Sequence, residues 1–258
     1  MSSRGVVLVA HNNTTTNYFE MASYTAKRVN EFLNLPVTVI TDSNSVSETN
    51  IFDKVILTDA NKSNFLRKTN WINKGRFKVF DLSPYEETLV LDVDYLINSN
   101  RLNELFNYDN DFMCHKNTFW LMNTTTEQEK LSKKSIETLW ATVIKFKKTN
   151  RTEQIFNMLE IVQNNYDHYS KIYGFLPMPY RNDYGLTIAL KTVNGHLENT
   201  QDYIPWPLVH IENAIGIERV SNTVYNLYKK QNDRKWYTHI SDKDFHILNK
   251  KEFKNLMT

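Results

Sequence analysis

Apolar and polar positions alternate along the first part of this chain in blocks of two different periods. Gly5-Val-Val-Leu-Val-Ala10 is a continuous apolar run of strand length and predicts a buried strand. His11-Asn-Asn-Thr-Thr-Thr-Asn17 follows as a polar turn, in which Thr16 or Asn17 can cap a helix. Between residues 18 and 34, Phe19, Ala22, Ala26, Val29, Phe32 and Leu33 recur at helical spacing. Pro36 to Asp42 and Asp53 to Leu57 predict a second and a third strand. Residues 70–82 predict a helix with a basic face. Glu87 to Ile97, bounded by Ser83-Pro84 and Asn98-Ser99-Asn100, predicts a strand buried on both faces. Asn100 to Phe106 predicts a short helix. This strand–helix alternation implies an α/β fold with a Rossmann-like, mostly parallel central sheet flanked by helices.

The second half is less regular. Phe112-Met-Cys-His115 and Trp140 to Phe146 predict strands, with a Thr-rich loop after the first. Residues 151–169 predict a helix through Ile155, Phe156, Leu159 and Val162, and Asn182 to Leu190 another, with Asp183 in its first turn. Pro177-Met-Pro179 and Pro205-Trp-Pro207 mark loops. The end of the chain is basic and aromatic, with Lys229, Lys230, Arg234, Lys235, Trp236 and Tyr237, then Phe245-His-Ile-Leu-Asn-Lys-Lys251.

Composition refines this picture in three respects. With 258 residues, 41% of them hydrophobic, the chain can build a large core. A net charge of +2 excludes a dedicated nucleic-acid packager. The charge is uneven, however. Basic blocks (Lys62, Arg67, Lys68, Lys74, Arg76, Lys78, and then Lys130, Lys133, Lys134, Lys145, Lys147, Lys148, Arg151) flank an acidic stretch over residues 81–111. Cys114 is the single cysteine, so no intramolecular disulfide can form, and the apolar run at Val6–Ala10 is too short for a secretion signal or a span. These features predict a soluble, cytoplasmic protein without a membrane partner. The six glycines form neither Gly-x-Gly-x-x-Gly nor a phosphate-binding Walker loop.

The candidate chemistry lies in Asp92-Val-Asp94. At the end of a buried strand two carboxylates are costly unless paired. In a strand they point to one side. Acceptor-only groups arranged so suit a hard divalent cation, Mg²⁺ or Mn²⁺, whose shell is completed by water and phosphate oxygens. Ligands of open α/β sheets sit at the carboxyl ends of the strands, which here are Ala10-His11-Asn12, Thr41-Asp42 and Asp92-Val-Asp94.

The stretch from Lys74 through Pro84-Tyr85 to Leu89-Val-Leu-Asp-Val-Asp94 resembles the core of GT-A fold nucleotide-sugar glycosyltransferases, in which a basic helix precedes a Pro-Tyr…Leu-x-Leu-Asp-x-Asp strand. The likeness covers residues 5–106, Asp183 to Leu190 and the C-terminal His. It implies one GT-A domain over residues 1–258, with a donor half over 1–110 and an acceptor half over 111–258 that ends in a metal- and phosphate-contacting segment. It also implies Mn²⁺ or Mg²⁺ and a nucleotide-sugar donor, a UDP-sugar above all. The resemblance assigns Asp92 and Asp94 to metal and ribose, Asp94 ligating more directly, and His246 to the third metal position, with His239 as the alternative. Lys250 falls near the diphosphate. Ala10, Asn12 and Asp42 fall around nucleobase and ribose. Arg76, or else Lys74 or Lys78, is the basic residue over the donor, and Tyr18 can stack on the base. Asp183 matches the acidic position that serves as general base in inverting members and orients the sugar in retaining ones. It also suits a helix N-terminus on its own account. The C-terminal His favours retention. The Asn-x-Gly of the acceptor side is replaced here by Trp140-Ala-Thr142.

Size, Asn- and Lys-richness and the basic aromatic C-terminus further resemble small bacteriophage-encoded glycosyltransferases, several of which modify DNA. That likeness implies a hydroxymethylated base in DNA as acceptor and the host cytoplasm as location. Residues 130–151 and 229–254 would then meet phosphates. The alternatives are a saccharide or lipopolysaccharide acceptor, a sugar nucleotidyltransferase, and a non-catalytic module that binds nucleotide-sugar or DNA. The missing glycine-rich loop weighs against the nucleotidyltransferase.

Overall fold

The computed structural model describes residues 3–59, 65–66, 69–70, 75–121, 129–176, 178–211, 215–231 and 234–257. Its centre is a six-stranded sheet in the order Lys54–Leu57, Val37–Thr41, Arg4–Val9, Glu87–Leu91, Trp140–Lys147, Phe112–His115. The first four strands are parallel, and Trp140–Lys147 runs antiparallel to both its neighbours. The α/β architecture with a mainly parallel, helix-flanked sheet therefore agrees with the sequence pattern.

Alternation along each strand supplies two cores. Val6 and Leu8 face the Tyr18–Phe32 helix and the C-terminal third of the chain, whereas Val7 and Val90 face the Asn150–Asn164 and Asn182–Val193 helices. The Tyr18–Phe32 helix begins at Asn17, whose side chain accepts from the Glu20 N–H at 3.0 Å. It stops at Asn34, which takes the left-handed conformation (φ 52°) that asparagine tolerates. A four-stranded sheet, in the order Tyr95–Leu96, Phe245–Ile247, Leu208–Ile211, Thr118–Trp120, packs into the first core. Ile215–Arg219, Val224–Gln231 and Arg234–Ser241 form an antiparallel ribbon beside the C-terminal Lys250–Met257 helix. Among the described residues no helix is long and apolar enough to cross a membrane.

Three local expectations are corrected. Of the helix over 70–82, residues 71–74 lie outside the described residues; the rest holds Asn70 in a short strand pair, a 3-10 turn at Arg76–Lys78 begun at Gly75 (φ 90°) and one α-turn at Val79–Leu82 that Pro84 ends. The helix over 151–169 is interrupted at Asn165, which separates Asn150–Asn164 from Tyr166–Tyr173 and donates its side-chain amide back to the Ile161 carbonyl. Residues 87–97 are not one strand: pairing stops at Leu91, and Asp92-Val-Asp94 forms a turn closed by Tyr95 N–H to Asp92 O at 3.0 Å.

Within the basic block over residues 130–151, Lys130, Lys133 and Lys134 are exposed, whereas the cations from Lys145 on are tied to the fold. Lys147 pairs with Asp109 at 2.5 Å, Lys148 donates to the Ser83 carbonyl, and Arg151 forks onto Asp202 at 2.7 and 2.8 Å. Lys145 is fully buried on its strand, 2.6 Å from the Asn110 carbonyl and 3.6 Å from Glu87 Oε2. Burial, with Lys147 nearby, pulls its pKa down to about 8 against the opposing pull of Glu87. The unfolded chain keeps this ammonium protonated to about pH 10.4. Between those values the unfolded state binds more protons, so stability rises with pH. Lys145→Met should therefore flatten the rise in urea midpoint between about pH 8 and pH 10.

Candidate active site

The site is assembled around the turn that replaces the end of the Glu87–Leu91 strand. Asp92 N–H donates to the Thr142 carbonyl at 2.9 Å, and Thr25 Oγ1 donates to the Val93 carbonyl at 2.7 Å, so both neighbours grip the turn. Beyond it, Tyr95 and Leu96 pair antiparallel with His246 and Phe245, and Ile247 N–H donates to the Asp94 carbonyl at 3.0 Å. The two aspartates thus face one way because of a turn, not because of strand alternation. The C-terminal strand is hydrogen-bonded to that same turn.

Three donors converge there. His246 Nε2 lies 3.2 Å from Asp94 Oδ2, and ligand atoms of Asp92, Asp94 and His246 all lie within 4.8 Å of one another. His239 is elsewhere, exposed on the ribbon and bonded to Asn226 at 3.2 Å. Ligand atoms around one Mg²⁺ or Mn²⁺ stand roughly 3–4.5 Å apart, given metal–oxygen distances of about 2.0–2.2 Å. Two carboxylates with one imidazole therefore fit a divalent ion in both separation and chemistry.

Two cations share the cluster. Arg76 Nη1 meets Asp92 Oδ1 at 2.8 Å, and Lys250 donates from the start of the last helix to Asp94 Oδ2. Arg76 is held from below, since Gly75 N–H donates to Gln163 Oε1 of the Asn150–Asn164 helix at 2.9 Å. Burial works to raise the Asp92 carboxyl, but Arg76, His246, Lys250 and a bond from Thr142 outweigh it and hold the group below the usual carboxylate range. Burial pushes the His246 imidazole down against the pull of Asp92. It also brings Lys250 down to about 8.

These groups open on a cleft of about 710 Å³ at the carboxyl ends of the Arg4–Val9 and Glu87–Leu91 strands. His11, Tyr18 and Val9 line one end; Met178 to Asp183 line the other; Asp92, Asp94, Arg76, His246, Leu248 and Lys250 lie between. Asp183 Oδ1 accepts the Ala141 N–H at 2.9 Å, and Arg181 Nη2 donates to its Oδ2 at 3.2 Å. Trp140-Ala-Thr142, which stands where the resemblance places Asn-x-Gly, does positional work here. Ala141 fixes Asp183, and the next residue, Thr142, fixes Asp92.

Ala10, Asn12 and Asp42 are near but turned to other tasks. Ala10 is fully buried, and Asn12 Oδ1 accepts from Phe19 N–H at 2.9 Å. Asp42 accepts from Asn44 N–H, Ser45 N–H and Ser45 Oγ, closing its own loop. None of the three lines the cleft. Lys74 lies outside the described residues, and Lys78 is exposed away from the lining. Sequence reading placed His11 at a ligand-bearing strand end but gave no role to the lining residues Tyr180, Arg181 and Asn182, because the loop before Asn182 carries no pattern of its own. Replacing Arg76 by Met should raise the pH at which Asp92 takes up its proton. The check is the carboxyl carbon resonance of Asp92 followed by NMR across pH; an unmoved midpoint would show that the guanidinium does not act on it.

No protein-family model matches this sequence, and a search of curated proteins finds no match. Among solved structures the chain is similar to galactosyltransferase LgtC in complex with donor and acceptor sugar analogs, at 17% identity over 72% of this chain and 70% of that one, TM-score 0.49. It is also similar to the glycosyltransferase GlyE of Streptococcus pneumoniae TIGR4, at 13% identity over 79% and 45%, TM-score 0.43. A third likeness is to mouse xyloside xylosyltransferase 1, at 10% identity over 82% and 85%, TM-score 0.45. At such identities and scores the likeness assigns no residue and no activity to this chain, whose chemistry must be argued from its own site.

Proposed function

We propose that this chain is a metal-dependent glycosyltransferase that moves a sugar from a nucleotide-sugar, a UDP-sugar in the first instance, to a hydroxyl acceptor. The observation that carries this reading is the convergence of Asp92, Asp94 and His246 with Arg76 and Lys250 at the strand ends that open into one cleft. Asp92, Asp94 and His246 would hold Mn²⁺ or Mg²⁺, which supplies a Lewis acid for the diphosphate leaving group. Arg76 and Lys250 bring two further positive charges to the same place, suited to the charge that develops there as the glycosidic bond breaks.

The role of Asp183 follows from what already holds it. Each of its oxygens accepts a bond, one from Ala141 N–H and one from Arg181. A carboxylate fixed in this way suits orientation of the sugar better than removal of a proton, which supports transfer with retention. The sugar and acceptor would lie between Asp94 and the Met178–Asp183 side of the cleft. The narrower acceptor reading is a hydroxymethylated base in DNA. Its support is the basic, aromatic sequence from Lys229 to Tyr237, whose described residues fall on the paired strands Val224–Gln231 and Arg234–Ser241. Residues 145–151 add nothing to it, because their cations are tied inside the fold.

With a UDP-sugar and an acceptor, Mn²⁺ should be required for release of free UDP. Asp94→Ala should cut turnover by about 10³-fold, some 4 kcal/mol of transition-state stabilisation. Turnover at the wild-type rate in a folded Asp94→Ala protein would sink the assignment. For the acceptor, affinity for a duplex carrying hydroxymethylated bases should fall steeply as salt rises from about 50 to 200 mM. Absence of binding at the lowest salt would remove DNA and leave a saccharide hydroxyl.

A further inference from the structure

Directly behind His246 lies a second imidazole that the sequence pattern did not single out. His210 stands on the Leu208–Ile211 strand, which pairs in parallel with Phe245–Ile247, and His210 and His246 are register partners. Partners on adjacent strands share a face. Here the two Nδ1 atoms meet at 3.1 Å. The ring of His210 is fully buried and clamped by two indoles, stacked on Trp120 at 4.6 Å and tilted against Trp140 at 4.3 Å. Its Nε2 has no hydrogen-bond partner among the described residues.

Two neutral ring nitrogens at this distance form a bond only if one carries a proton and the other does not. The tautomers of the pair are therefore locked together. Without an ion, Asp94 can only accept, so the proton of His246 sits on Nε2 and its Nδ1 accepts from His210 Nδ1–H. For His246 to ligate through Nε2, that nitrogen must be bare, and its proton must be on Nδ1. Nδ1 then needs an acceptor, and His210 Nδ1 is the atom in place to be one.

We propose that His210 is a positioning residue that sets the tautomer and ring orientation of His246 and thereby the affinity of the site for its divalent ion. This inference rests on the metal-site reading of Asp92, Asp94 and His246. The proton balance closes. His246 Nε2 gives its proton to solvent, His246 Nδ1 takes the proton of His210 Nδ1, and His210 Nε2 takes one from solvent, so no net proton is released by this pair. An outer partner of a ligating histidine commonly controls metal affinity in this way. The indole clamp removes the rotamer freedom that would otherwise loosen the bond.

The test uses Mn²⁺ alone, titrated into the full-length protein and read by the EPR signal of the free ion. His210→Phe keeps the aromatic clamp but offers no acceptor and should weaken Mn²⁺ binding by about 10–100-fold. His210→Asn presents an amide oxygen where Nδ1 stood and should restore binding to within about threefold of wild type. Equal Mn²⁺ affinity in folded His210→Phe and wild type would overturn the positioning role while leaving the metal site intact. No Mn²⁺ binding by the wild type would overturn the metal reading and this inference with it. A second readout does not depend on the variants folding. In ¹⁵N-imidazole spectra of the wild type, saturation with Mg²⁺ should move the bare nitrogen of His210 from Nε2 to Nδ1. A His210 ring that keeps its tautomer under saturating Mg²⁺ would refute the proposal.

Discussion

Two residue pairs of antiparallel sheet, Tyr95 with His246 and Leu96 with Phe245, hold this site together. They join the turn after the fourth parallel strand to a segment some 150 residues later in the chain. The Asp94 carbonyl, accepting from Ile247 N–H, extends the ladder to the turn itself. Because the bond is made by backbone, His246 reaches Asp94 by strand register rather than by the reach of a flexible loop. The last helix begins four residues after His246, at Lys250, and is pinned by Phe253 and Leu256, with Phe253 edge-on to Tyr24 at 5.8 Å. Lys250 inherits its place from that packing. An apolar core thus determines where a charged cluster can form.

The cluster balances its charges locally. Two carboxylates face one guanidinium, one ammonium and one imidazole in a partly dry setting where unpaired charge would be costly. Each aspartate has its own cation, Arg76 for Asp92 and Lys250 for Asp94. A doubly charged ion and a diphosphate arriving together would add little net charge to this arrangement, and both cations would remain close enough to pair with phosphate oxygens.

Much of this was legible in the chain. The parallel strands, the Asn17 cap and the Asp-x-Asp at a strand end were all carried by local pattern. So was the approach of a C-terminal histidine, through resemblance. Information that was not local was harder to read. The turn at Asp92–Asp94 depends on Thr142 and Thr25, which are distant in sequence and have no spacing to reveal them. Lys145 looked like part of a basic surface because a lysine in a strand reads as solvated, whereas here two carbonyls and Glu87 receive it. Asp42 looked like a ligand group, and its own loop takes up its oxygens. His210 carried no signal at all, since one histidine in Leu-Val-His-Ile is an ordinary core residue until the neighbouring strand is known.

The Trp140–Lys147 strand contains an irregularity between Trp140 and Ile144, where its register against Phe112–His115 shifts. Such a bulge re-aims the residues inside it. Ala141 and Thr142, two of the three residues inside it, hold Asp183 and Asp92 respectively. Two carboxylates of the cleft, Asp92 and Asp183, are therefore gauged from consecutive links of one chain, about 3.8 Å apart. That separation works as a fixed ruler: the strand cannot shift one carboxylate without carrying the other. Under the proposed function, a larger or smaller sugar would be accommodated by the loop over 178–181, the side of the cleft where sequence change would alter selectivity and leave Asp92, Asp94 and His246 unmoved.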